Sequence, residues 1–293
     1  MRIPARPSIH VLIIVTLAWT VLVSMPAAGR EPLQENASAG RFRPEDGWKP
    51  LFNGKDLSGW TYRNPRAKKV WVVCDQVRLD PADPARLLPI GQGGSPGAVL
   101  LCGEDGRGSD LLTTETFSDY QLHLEFNVPK GSNSGVYNRG LFEIQVFDSY
   151  GKPKLGVHDC GALYERAFPR ENLAKPPGHW QSFDITFQGK KLTLVWNGKP
   201  VYQDYDIRHG ETDREAFERL NHENAHKPAA LRVKLREENG RYLGYFGEGG
   251  TRSGLDGPDR PGPILLQGDH GPVAYRNLLI RPLQETTRGS TAR

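Results

Sequence analysis

Glu143 and Gln145 stand two residues apart in the run Phe142-Glu143-Ile144-Gln145-Val146-Phe147. If that run is a strand, the carboxylate and the amide share one face, and Ile144 and Val146 share the other. Such a face can carry a general base beside a hydrogen-bonding amide, or it can simply be exposed and polar. Asp148 falls at the end of the same run, where it either binds a ligand or starts the turn Ser149-Tyr150-Gly151. Tyr137 and Arg139 flank the preceding strand beside an Asn-Ser-Gly turn. His270, between Asp269 and Gly271, is the strongest general-acid candidate, because imidazole titrates near neutrality. His158 and His179 are alternatives in loops. Tyr164 and Trp180 are candidates for stacking or hydrogen bonding, as are Trp60 and Trp71. No second carboxylate pairs visibly with Glu143, which argues against the two-carboxylate arrangement of ordinary glycosidases.

The elements that must position these residues read as strands. Tyr120 to Phe126 alternates apolar with polar residues, the period of a half-buried antiparallel strand. Lys191 to Trp196 runs into Asn197-Gly198, the strongest short hairpin signal, followed by Val201-Tyr202. Further strands are expected at Trp71–Cys74, Ala98–Cys102, Tyr120–Val128, Gly135–Asn138, Leu141–Phe147, Phe183–Phe187, Ile264–Gln267 and Val273–Arg281. Asn53-Gly54-Lys55-Asp56 reads as a hairpin turn. With 33 glycines and 23 prolines and no glycine-rich phosphate loop, the chain is expected to be all-β. No blade-length repeat is visible, so a sandwich or jelly roll is favoured over a propeller.

Arg2 and Arg6 precede an apolar run from Val11 to Met25 and the small residues Ala27, Ala28 and Gly29, the pattern of a cleavable export signal. Residues 1–29 are therefore expected to be a signal peptide, 30–43 a linker, 44–283 the folded domain and 284–293 a flexible tail. The mature protein would be periplasmic or secreted, with no membrane contact. The segment 208–260 is strongly charged and reads as an insertion, with a possible helix at 212–226. The 38 basic and 34 acidic residues are interspersed, so no nucleic-acid partner is expected. Cys74, Cys102 and Cys160 read as structural, leaving room for one disulfide. No metal-ligand spacing stands out. Asp46, Asp56 and Asp269 are the carboxylates a calcium ion would draw on, but their spacing is not diagnostic, so no cofactor or metal is expected.

Four ordered segments resemble one family. They are Trp48-Lys49-Pro50-Leu51-Phe52-Asn53-Gly54-Lys55-Asp56-Leu57-Ser58-Gly59-Trp60; Asn133-Ser134-Gly135-Val136-Tyr137-Asn138-Arg139-Gly140 with Phe142 to Asp148; Gly161-Ala162-Leu163-Tyr164 with Gly178-His179-Trp180; and Gly262 to Gln267 with Asp269-His270-Gly271 and Tyr275-Arg276-Asn277. Together they resemble the 3-keto-disaccharide hydrolase family (3-keto-glucoside lyase/hydratases). The resemblance implies a concanavalin A-like jelly-roll sandwich of two antiparallel sheets. It also implies a carbohydrate substrate oxidised at C3, which an upstream sugar 3-oxidoreductase would supply. In that chemistry a base removes the C2 proton, the glycosidic oxygen leaves C1, and water adds to the resulting 2-hydroxy-glucal. For that chemistry Glu143 is expected as base, His270 as acid and Arg139 as enolate stabiliser or else a surface ion pair, with Gln145, Tyr137, Asp148, Tyr164 and Trp180 holding substrate. The chain departs from the family pattern in its longer 78–97 and 208–260 segments, and in the extra Gly268 between Gln267 and Asp269, which bears on where His270 stands. A non-catalytic carbohydrate-binding module or a cell-surface adhesion domain is the alternative, since fold alone does not give function.

Overall fold

The computed structural model describes residues 42–103, 105–207 and 261–283, the backbone of 234–238, 241–246 and 251–254, and the helical positions Glu215, Glu218, His222 and Ala225. The expected signal peptide, nearly all of the linker, the tail and the body of the 212–226 helix lie outside these residues.

Two antiparallel sheets form the domain. The larger runs in the order β13 (Lys199–Asp206), β12 (Lys191–Trp196), β11 (Gln181–Gln188), β8 (Tyr120–Asn127), β18 (Val273–Pro282), β6 (Val99–Cys102) and β3 (Trp71–Cys74), with β1 (Lys49–Pro50) paired to β18. The smaller runs β10 (Phe142–Phe147), β9 (Asn133–Asn138), β17 (Leu265–Leu266), β7 (Leu111–Thr113) and β2 (Trp60–Tyr62). This is an all-β jelly-roll sandwich. The core lies between the sheets, where Leu122, Leu124 and Phe126 of β8 and Phe183 and Ile185 of β11 meet Val136, Ile144, Val146 and Leu266. Burying each such side chain contributes about 1.5–3 kcal/mol before entropy is counted. The alternation that marked β8 in the sequence is this inward face.

Cross-strand register carries the pattern from strand to strand: Ile144 lies opposite Val136, and Glu143 opposite Tyr137. Asn197 and Gly198 both take positive φ (50° and 79°) and join Trp196 to Lys199 in a tight hairpin, as the Asn-Gly dipeptide predicts. The turn at Asn53–Asp56 differs from expectation. It is an Asx turn, with Asn53 Oδ1 accepting from the Lys55 and Asp56 amides. The strands it links, β1 and β2, belong to different sheets, so it passes the chain across the sandwich instead of closing a hairpin.

The 78–97 segment owes its length to structure on the outer face of the larger sheet. There β4 (Gln76–Leu79) and β5 (Leu87–Ile90) form a two-stranded hairpin. Leu87 packs with Cys74, Val99, Leu101 and Ala274, and Val77, Leu79 and Trp180 border that cluster. The strands β14 (Lys234–Glu238), β15 (Arg241–Phe246) and β16 (Thr251–Gly254) form a separate three-stranded sheet within the 208–260 segment. All three cysteines are buried and free, so none is in a disulfide. Burial pushes their thiols up, that of Cys160 to about 12.

Candidate active site

The face of the smaller sheet turned away from the core carries polar side chains where β9 and β10 pair. In β10 the core takes Ile144 and Val146, which leaves Glu143 and Gln145 on the opposite face. Glu143 is nonetheless only 8% exposed and Gln145 2%. The Gly161–Tyr164 segment lies along the free edge of β10 and encloses them. Gln145 N–H donates to Ala162 O (2.9 Å), Gly161 N–H to Gln145 O (2.8 Å) and Tyr164 N–H to Glu143 O (3.0 Å).

Glu143 lies over Gly135. A Cβ at that position would come 2.1 Å from Glu143 Oε1, so the glycine makes the space the carboxylate occupies. Tyr137, opposite on β9, hydrogen-bonds to Glu143, and its phenol is raised well above the ordinary tyrosine value by burial and by the Glu143 charge. A hydroxyl that stays protonated is a standing donor to the carboxylate beside it. Gln267 Nε2 reaches the Tyr137 hydroxyl at a long 3.5 Å.

Gln145 Nε2 donates to Asn133 Oδ1 (3.2 Å) and to His158 O (3.1 Å), which fixes the amide's orientation. Its Oε1 is buried with no hydrogen-bond partner among the described residues. An oriented acceptor left unsatisfied at such a depth costs stability unless a ligand hydroxyl or water meets it.

On the β17 side the chain turns through Gly268-Asp269-His270. The extra glycine is tucked in: Gly268 N–H donates to Asp110 Oδ1 (3.0 Å), and a Cβ there would meet Ser109 O and Trp71 Nε1, each at 2.7 Å. Gly268 thus fills a place no side chain could take, and the loop beyond it leaves His270 near enough to Glu143 to feel its charge. Asp269 accepts a hydrogen bond from His270 Nδ1. This bond, together with the charges of Asp269, Glu143 and Asp110, raises the imidazole above 6.5 against a smaller opposing effect of burial.

Two buried residues anchor this corner, and neither was singled out from the sequence. Asp110 Oδ2 pairs with Arg63 Nη1 at 3.1 Å. Burial and the neighbouring Asp269 charge push the Asp110 carboxyl upward, while Arg63 and the Gly268 amide oppose them. Arg63 and Asp110 are 47 residues apart, one just after and one just before a three-residue strand, so no local pattern announces the pair.

Of the other expected residues, Tyr164 stands at the rim, 38% exposed, with its ring 4.8 Å from that of His158. His158 in turn hydrogen-bonds Glu165 through Nε2. Three of the expected residues are engaged away from this face. Arg139 is fully buried on the core side of the β9–β10 turn. Its guanidinium donates to Ser118 O (2.7 Å), Gly189 O (3.0 Å) and Asp119 Oδ1 (3.0 Å) and lies over the Phe187 ring, so it is committed to the fold. Trp180 packs on the outer face of the larger sheet, with Arg276 stacked 4.1 Å from its ring centre. Asp148 uses its carboxylate to cap backbone, accepting from Gly131 N–H (2.9 Å) and Tyr150 N–H (3.3 Å), which is the turn reading. His179 is exposed, in the turn whose Gly178 packs on Leu79 beside that outer-face cluster.

The 3-keto-alpha-glucoside-1,2-lyase-like domain matches residues 47–281. A 3-keto-disaccharide hydrolase of Bacteroides thetaiotaomicron is 27% identical over 221 residues, covering 67% of this chain and 64% of that protein. The match thus spans less than two thirds of that relative's length. A crystal structure from Parabacteroides distasonis, provisionally assigned as a glycosyl hydrolase, superposes with a TM-score of 0.51 at 19% identity, covering 82% of this chain and 95% of the other, and it supports the sandwich fold. A second structure from that organism gives a TM-score of 0.49 at 23% identity, covering 80% of this chain and 99% of the other. With the family match running through nearly the whole described domain, this chain belongs to the 3-keto-alpha-glucoside-1,2-lyase-like domain family.

Proposed function

We propose that the protein is an exported carbohydrate hydrolase that acts on 3-keto-glucosides by elimination and hydration. The observation that carries this reading is the Glu143 carboxylate, held over Gly135 by the Tyr137 phenol and flanked by the unsatisfied amide oxygen of Gln145. An oriented carboxylate whose acidic neighbours Asp269 and Asp110 are engaged by His270 and Arg63 suits proton abstraction next to a ketone better than an oxocarbenium route, which needs a second working carboxylate.

Glu143 takes the C2 proton. The C–H electrons form the enolate, then the C1=C2 bond, as the C1–O bond breaks. The departing oxygen takes a proton from His270, whose imidazolium is sustained by Asp269. Water then adds across C1=C2, its hydroxyl to C1 and a proton to C2, so the sum is glycoside plus water giving 3-keto-glucose plus the alcohol. Arg63, neutralised by its buried partner Asp110, braces the corner beside Tyr137 and Glu143. Gln145 Oε1 accepts from a sugar hydroxyl, and Tyr164 stacks at the rim. The substrate's ketone requires an oxidoreductase acting at sugar C3 upstream. Export rests on the residues 1–29 pattern.

The test is NMR turnover of a 3-keto-disaccharide and of its unoxidised parent. Only the keto sugar is expected to react, and Glu143→Gln, which keeps an oxygen for Tyr137 but cannot accept the proton, should lower kcat by about 10³. The exposed rings of Tyr164 and Phe168 favour a binding module as the second reading, and binding without turnover of either sugar would establish it. Cleavage of the parent would refute the elimination chemistry.

A further inference from the structure

An open cleft of about 640 Å³ adjoins the candidate site and is lined on one side by His270. That volume is within the range of small-ligand sites, and its walls are tied together. Lys130 N–H donates to Pro84 O (2.8 Å), joining the 129–132 turn to the loop between β4 and β5, and Gly271 N–H donates to Gly106 O (3.2 Å), joining the His270 loop to the 105–108 turn.

The charged lining is unbalanced. Arg86, Arg107 and Lys130 supply three cations, and Asp83 and Asp105 two acids. Both acids are used by their own loops: Asp83 Oδ1 accepts from Ala85 N–H (3.0 Å), and Asp105 Oδ1 accepts from Arg107 N–H (3.1 Å) and lies 3.7 Å from Lys68 Nζ. Arg86 touches Asp80 only at 3.9 Å, and among the described residues Arg107 and Lys130 are in no ion pair. The lining therefore carries three cations against two carboxylates, an excess of positive charge, with both acids already tied to their own loops by backbone N–H groups.

Position assigns the occupant. On the elimination reading above, on which this inference rests, His270 protonates the oxygen leaving C1. The group attached to that oxygen must then lie on the His270 side, where the cleft opens. We infer that this cleft is the leaving-group subsite and that it selects a leaving group bearing a carboxylate, as in a uronic acid or an aromatic acid. The longer 78–97 segment builds one wall of it, through Arg86.

The experiment compares two 3-keto-glucosides with matched phenolic leaving groups, 4-(carboxymethyl)phenol and its uncharged amide, on the wild-type protein and on the Arg107→Ala/Lys130→Ala double variant. The wild type is expected to favour the carboxylate about fivefold in kcat/KM at low ionic strength, and roughly 0.5 M sodium chloride should erase most of that preference. The double variant should bring the ratio to about one. Equal rates in the wild type, or a preference that survives in the variant, would overturn the assignment. If neither glycoside turns over, the elimination reading has failed by itself, and saturation-transfer NMR with 4-hydroxyphenylacetate then decides on the cleft. Binding to the wild type and not to the variant supports the subsite, whereas binding to both or to neither removes it.

Discussion

The chemistry of the candidate site depends on where one carboxylate is held. Glu143 occupies space that exists because residue 135 lacks a side chain. Gly135→Ala is therefore expected to leave the sandwich folded, since the new methyl faces away from the core, but to push Glu143 off Tyr137. A misplacement on the order of 1 Å costs about 10² in rate, so kcat/KM should fall by about that factor while the urea midpoint moves little. Unfolding of the variant, or full activity, would show that the glycine serves another purpose. The acid can be tested by pH. Because His270 is raised above 6.5, its protonated form persists to higher pH and is lost as pH rises through the folded-state value. The alkaline limb of kcat/KM should then lie above 6.5. Asp269→Asn removes the main cause of the shift and should move that limb to lower pH, and a limb that stays in place would separate it from His270. At this scale the sequence was partly legible. Alternation put Glu143 and Gln145 on one face because strand geometry leaves no other choice. Arg63 and Asp110 were invisible because their pairing depends on β2 meeting β7, a contact no local spacing encodes.

Strands with clear alternation or a strong turn signal could be read closely. The run Lys191–Trp196 was expected and is β12, and the Val273–Arg281 expectation falls short of β18 by one residue. The short strands β2, β4, β5 and β7 escaped. β7 is buried on both faces, Leu111 in the main core and Leu112 against Leu265, so it carries no period. Arg139 illustrates the limit of reading an element from its ends. Its place beside an Asn-Ser-Gly turn suggested an anion stabiliser, yet its positive φ of 53° swings the side chain toward the core. There it ties β9–β10 to the 118–119 and 189 backbones of the larger sheet. Arg139→Ala should strip two carbonyls and Asp119 of a buried donor and cost about 3 kcal/mol, read as a lower urea midpoint. The folded fraction should keep its turnover, and lost activity at undiminished stability would restore the catalytic assignment.

At the scale of the molecule, the sandwich uses its two outer faces differently. The larger sheet covers its own with the β4–β5 hairpin and the stacked Trp180 and Arg276, whereas the smaller sheet encloses carboxylate, amide and phenol beneath the Gly161–Tyr164 segment. An all-β sandwich or jelly roll was implied by composition and strand pattern, and its two antiparallel sheets by the family resemblance. Which outer face carries the site was not, because Trp180 and Tyr164 both read as candidate sugar contacts until the strands take their places. The account stands on removal of the C2 proton during cleavage, and one measurement addresses that step directly: hydrolysis of a 3-keto-glucoside in deuterium oxide, followed by NMR at C2 of the released 3-keto-glucose against an enzyme-free control. Elimination and hydration predict deuterium at C2 of the product, because the proton that Glu143 takes exchanges with solvent before water adds. Product that keeps its C2 proton in full, with no 2-hydroxy-glucal detected during turnover, would mean direct displacement at C1 and would contradict the role given to Glu143.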